Sequence, residues 1–143
     1  MITISNPEKY VVGILVRLSN ERKEDLKKAA TKLNEALNGE ASELEIDGTL
    51  HRFEFTFELA WKTMKDCLEN QGIVGKIGSP REILKEAFSA GLIEDGEVWM
   101  DMMLSRNELS HLYDEETSRE IYDDIKEKYI LEINKLVQKL DNI

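Results

Sequence analysis

Apolar residues recur along this chain at intervals of three and four, and the intervals persist long enough to outline helices. From about Asn20 to Leu37 the stripe is Leu26, Ala29, Ala30, Leu33 and Leu37, with Asn38-Gly39 as a stop signal. Glu21, Glu24, Asp25, Lys28 and Lys32 fall on the other faces, which are therefore left to water. A stronger stripe, Leu50, Phe53, Phe57, Ala60, Trp61, Met64 and Leu68, predicts a second helix over roughly Ile46 to Asn70, closed by Gly72. Phe55 and Leu59 lie off that stripe, so this helix is expected to bury more than one face, as a central bundle helix or a subunit interface requires.

Ser79-Pro80-Arg81-Glu82 has the layout of a capping box, with serine as N-cap, proline at the first helical position and glutamate three residues after the serine. It predicts a short helix to about Ala90, stopped by Gly91. Asp95 can cap a further helix to about Leu112, and Asp114 a last one from Glu115 to Leu140 whose stripe is Ile121, Ile125, Tyr129, Ile133, Leu136 and Leu140. Short links between such helices predict an all-α, up-and-down antiparallel bundle, a four-helix core with an additional short helix. The apolar run Val11 to Val16 has no period that separates strand from short helix, so residues 1–18 are set apart as an N-terminal extension of a bundle domain over 19–143.

Composition narrows the function. A length of 143 residues suits one domain with a real core, and 8 glycines and 2 prolines against 34% charged residues fit salt-bridged helices rather than a turn-rich β protein. The formal charge of −10 repels phosphate backbones and anionic membrane surfaces, so any contact with nucleic acid must be local. The single cysteine, Cys67, excludes an intrachain disulfide and reads as a small buried hydrophobe, which fits a cytoplasmic location. The first eighteen residues have no basic leader and no small-residue cleavage site, and no run is long enough to span a membrane. No histidine pair has metal-ligand spacing, and neither a phosphate-binding glycine loop nor a serine-nucleophile motif is present. Neither a metal nor a cofactor is expected.

One side chain breaks the core pattern. Arg106 interrupts the stripe Trp99, Met102, Leu109 and Tyr113, seven residues from both Trp99 and Tyr113. Desolvating a guanidinium costs several kcal/mol unless it meets a carboxylate, carbonyls or an anionic ligand. Glu54 and Glu58 are the candidate partners within the chain, and a purely structural Arg–Glu pair stands as an equal alternative to an anion site. His111, five residues after Arg106, lies about 140° around a regular helix from it. The two converge only where the helix loosens near its end, or where a two-fold dimer brings both copies into one cleft. Asn107 and His111, four apart, share a face. His51 falls with Phe55, Glu58 and Lys62 on one face of the second helix and suits an ordinary surface or interface role.

Two segments carry a resemblance: Arg52-Phe53-Glu54-Phe55-Thr56-Phe57-Glu58-Leu59-Ala60-Trp61-Lys62, and Arg106-Asn107-Glu108-Leu109-Ser110-His111-Leu112-Tyr113-Asp114. With Ser79-Pro80-Arg81-Glu82 and the run from Ala87-Phe88 to Gly91-Leu92-Ile93, they resemble the nucleotidyltransferase substrate-binding protein family, a branch of the HEPN superfamily of helical bundles. The similarity spans about Asn20 to Leu140. It implies a homodimer or higher oligomer, encoded beside a minimal nucleotidyltransferase and binding it, with the nucleotide-transfer residues on that partner. In toxin members of the superfamily an Arg, four residues and a His form a metal-independent ribonuclease site, which maps to Arg106 and His111, with Asn107 placed to orient either group. A Tyr two residues after the His accepts adenylyl groups in such toxin–antitoxin pairs and maps to Tyr113. The resemblance thus implies an RNA-cleaving toxin silenced by adenylylation, or alternatively a non-catalytic subunit that binds nucleotide or substrate for the transferase.

Overall fold

Helix ends in this chain are written by side chains that satisfy the backbone. The computed structural model describes residues 7–72, 78–111 and 114–142, and for 7–19 the backbone alone. It comprises α1 (Pro7–Leu37), α2 (Glu43–Asn70), α3 (Pro80–Ser89), α4 (Gly96–Leu109), α5 (Glu115–Asp124) and α6 (Ile130–Asp141), with a π-helical turn, Ile125–Tyr129, joining the last two without a break. The architecture is the expected all-α antiparallel bundle. Ser79 accepts from the Glu82 N–H at 3.2 Å while its hydroxyl donates to Glu82 Oε1 at 3.1 Å, the capping box read from the sequence. Asp95 caps α4 through the Val98 N–H, and Asp114 caps α5 through the Glu116 N–H and the Thr117 hydroxyl.

Three boundaries differ from the sequence expectation. The Val11 to Val16 run is helical, because α1 is one 31-residue helix from Pro7. The start of α2 lies three residues ahead of Ile46, where Ser42 and Glu45 form a second capping box that fixes the first turn before any apolar residue is buried. The end of α4 is Leu109 rather than Leu112: the His111 N–H bonds the Glu108 carbonyl three residues back, a tightened terminal turn that leaves the α-helical path. Leu112 lies outside the described residues.

The α2 helix is the centre of the bundle and touches α1, α3, α4 and α5. Its stripe is buried as expected apart from the half-buried Trp61, whereas Phe55 is 58% exposed. Thr49, Thr56 and Thr63 form a second buried line seven residues apart, each hydroxyl donating to the carbonyl four residues back, so polar groups enter the core already satisfied. Across the interior the Phe53 ring stacks on Tyr129 at 5.6 Å, and the rings of Phe57 and Trp99 meet at 6.3 Å. On the outer seam Arg22 of α1 donates to both Asp66 carboxylate oxygens of α2 at 2.9 Å.

The π turn has a readable cause. Ile121, Ile125, Tyr129 and Ile133 are spaced by four, and on a regular α-helix three such steps drift about 120° off the core face. One residue absorbed in a wider turn cancels most of that drift. All four side chains are accordingly buried.

Candidate functional site

The last turn of α4 is anchored from behind before it presents a charge in front. Ser105, on the same stripe as Met102 and Leu109, lies 2.8 Å from the Tyr129 hydroxyl, and both side chains are buried. Burial pushes the Tyr129 phenol above its usual range, against the opposing pull of the Ser105 hydrogen bond, so Tyr129 stays a neutral hydroxyl. The bond ties α4 to the π turn one residue before Arg106, which limits rotation of the helix at that point.

From that fixed backbone Arg106 reaches to α2, where its Nη2 donates to Glu58 Oε2 at 2.9 Å. The same carboxylate accepts from Trp61 Nε1 at 3.0 Å and meets Lys62 Nζ at 3.3 Å, while that ammonium sits 5.9 Å from the Trp61 ring centre. The Arg106 side chain is 39% exposed and that of Glu58 31%, so the pair lies at the bundle edge within reach of water. Burial would raise the Glu58 carboxyl, but the Trp61 and Lys62 hydrogen bonds and the Arg106 charge outweigh it and hold the group below its ordinary 4.5. Two cations share one carboxylate. The cluster therefore carries one net positive charge in a chain whose total is −10, and an anion approaching it meets donors already fixed in direction.

The expected members of the site divide. Arg106 has its carboxylate partner, and that partner is Glu58; Glu54 is half-buried and makes no hydrogen bond or ion pair with Arg106 among the described residues. Asn107 Oδ1 lies 3.5 Å from Arg106 Nη1, and the Asn107 carbonyl accepts from the Ser110 hydroxyl at 2.7 Å. His111 is exposed in the turn two residues beyond α4, and among the described residues no hydrogen bond joins its imidazole to Arg106. Tyr113 lies outside the described residues. Four residues enter that the site reading from sequence did not use. Trp61 and Lys62 follow Glu58 by three and four positions, a helical spacing that signals their convergence. Ser105 and Tyr129 each occupy a core stripe, and a polar atom there requires a partner.

Among the described residues no group of three His, Cys, Asp or Glu side chains converges as metal ligands would. No helix among them is long and apolar enough to cross a membrane.

The fold that carries these residues has counterparts among known proteins. A solved structure from Thermus thermophilus superposes with a TM-score of 0.68 at 26% identity, covering 82% of this chain and 96% of the other. A Haemophilus influenzae structure, reported as the fold of a substrate-binding domain of a nucleotidyltransferase, superposes with a TM-score of 0.60 at 25% identity, covering 87% of this chain and 98% of that one. The curated protein named probable ribonuclease HepT, also from H. influenzae, is 35% identical over 99 residues, a stretch that spans 66% of either chain and so just under two thirds of that relative. The profile of the family described as nucleotidyltransferase substrate binding protein like matches residues 21–142, and the chain belongs to that family.

Proposed function

We propose that this chain is the substrate-binding partner of a minimal nucleotidyltransferase encoded nearby, and that it is the ribonuclease toxin of a toxin–antitoxin pair, silenced by adenylylation at Tyr113. The observation that carries the reading is the Arg106 guanidinium, held at the bundle edge by Glu58 on a helix that the Ser105–Tyr129 bond anchors, with the exposed His111 five residues on. Family membership and the ribonuclease name of a relative support it.

The chemistry follows from the groups. In RNA cleavage His111 takes the proton from a ribose 2′-hydroxyl, and the freed oxygen attacks the adjacent phosphorus. The 5′-oxygen leaves, taking a proton from an imidazolium, and a 2′,3′-cyclic phosphate remains. Arg106 stabilises the charge gathering on the phosphoryl oxygens, with Glu58 and Asn107 setting its direction. Arg106 faces α2 while His111 sits in the solvent-facing turn, so a cleft shared by two copies supplies the convergence that one helix does not. No metal enters these steps. An adenylyl group on Tyr113, two residues after His111 in the sequence, adds a phosphodiester and a bulky nucleotide, whose negative charge opposes the cluster's positive one and whose bulk blocks RNA.

Wild type, Arg106→Ala and His111→Ala tested on RNA in metal-free buffer, and for growth arrest on expression, separate the proposal from its alternative. Loss of both effects in the two variants is expected. Equal cleavage or equal toxicity removes the nuclease step. The second reading, a non-catalytic subunit that binds nucleotide or substrate for the transferase, is favoured by the net −10 charge, which opposes RNA capture. Mixing the protein with its neighbouring transferase and ATP, then mapping the product by mass spectrometry, distinguishes them: modification elsewhere than Tyr113, or none, selects the second reading.

A further inference from the structure

A second surface lies on the N-terminal half of α4, away from Arg106. Between α3 and α4 an open groove of about 690 Å³ is floored by Leu84, Phe88 and Met100. Phe88 is 53% exposed although its ring rests against the α4 backbone at Gly96, where an added Cβ would come within 3.3 Å of it. A side chain at that position would force the ring to shift by a few tenths of an ångström, so glycine is what allows Phe88 to approach the α4 backbone this closely. Phe88, half in water beside Met100, gives the groove an apolar face that the described chain leaves open.

The rim identifies the occupant by charge. Among the described residues, Glu94, Asp95, Glu97 and Asp101 line the groove against one cation, Lys85. Glu94 meets Lys135 at 3.7 Å and Asp95 is spent on the Val98 N–H, whereas Glu97 and Asp101 form no ion pair among the described residues. The positive end of α4, which would otherwise favour anions, is already covered by the Asp95 and Glu97 carboxylates. A nucleic acid or an anionic membrane is repelled here, and a second copy related by a two-fold axis through the groove would set one acidic rim against another.

We propose that this groove docks an amphipathic helix of a partner protein, inserting one or two apolar side chains against Phe88 and Met100 and pairing flanking Lys or Arg residues with Glu97 and Asp101. The proposal is independent of any ribonuclease or transferase chemistry at Arg106. It gives the protein a docking face for a basic partner alongside that cluster.

The probe is a fluorescent amphipathic peptide of about 15 residues with leucines at i and i+4 flanked by lysines, titrated against the intact protein by anisotropy. Binding is expected at a Kd of about 10–100 μM, weakened about tenfold by Phe88→Ala, by Glu97→Gln with Asp101→Asn, and by about 0.5 M salt. The carboxylate variants keep the apolar floor, so they remain informative if Phe88→Ala disturbs the fold. No binding up to about 1 mM overturns the proposal. So does equal binding of the same peptide with glutamates for lysines, or indifference to the carboxylate variants. Self-association that Phe88→Ala abolishes overturns it in favour of a second copy.

Discussion

Replacing Glu58 by glutamine removes one charge from the centre of the Arg106 cluster while keeping an acceptor for the Trp61 indole. Fully exposed ion pairs contribute about 0.2–1 kcal/mol, and breaking fully buried ones costs about 3–5 kcal/mol. With the two side chains 39% and 31% exposed and one charge-assisted bond of 2.9 Å, the structure lies nearer the exposed limit. A double-mutant cycle of Glu58→Gln and Arg106→Met should therefore return a coupling of about 1 kcal/mol at pH 7, with Glu58→Gln alone costing about 1–2 kcal/mol. For a chain of this size that cost lowers Tm by about 2–6 °C. The pH dependence has a fixed sign. The folded carboxyl is held below its ordinary 4.5, so its contribution is complete above that value and disappears as pH falls through the lower folded value. Urea unfolding at neutral and strongly acidic pH, followed by tryptophan fluorescence, measures both, since Trp61 donates into the same carboxylate. A neutral-pH coupling under about 0.3 kcal/mol, or one that survives unchanged in acid, would refute the view that this pair directs Arg106.

Tyr129→Phe should cost about 1–2 kcal/mol by leaving the buried Ser105 hydroxyl without its partner, and adding Ser105→Ala should recover part of it in urea titrations. Phe53→Ala removes a fully buried ring stacked on Tyr129, so a loss of about 3–5 kcal/mol is expected, and a loss under about 1 kcal/mol would contradict the packing described. Burial raises the Cys67 thiol, against the lesser opposing pull of Lys23, so an aromatic disulfide reagent at pH 7 should modify it only at the rate of opening, and in urea at once. Gly91 has φ +76°, and Gly91→Ala should lower stability by about 1 kcal/mol on thermal unfolding, although there is open space for the methyl group.

Helix identity and register were legible in the sequence because both are local. Every stripe residue named for α1, from Leu26 to Leu37, and for the α5–α6 segment, from Ile121 to Leu140, is buried, since a period of 3.6 leaves one face for the core wherever the helix docks. The caps at Ser79, Asp95 and Asp114 depend on two to four consecutive residues and could be read the same way. Arg106 announced that it needed a carboxylate, because a charge in an apolar stripe must be compensated. Which carboxylate supplies it was decided only by tertiary structure. Glu54 and Glu58 are one helical turn apart on α2, and the axial placement of α4, fixed by Ser105 against Tyr129 across the π turn, brings the guanidinium to Glu58. The groove beside Phe88 has the same origin: its apolar floor and acidic rim come from two helices whose relative position no single-helix period encodes. Periodicity specifies which face of a helix turns inward, but how far along its neighbour it slides is set by side-chain packing between helices, and charge partners and clefts are made by that displacement.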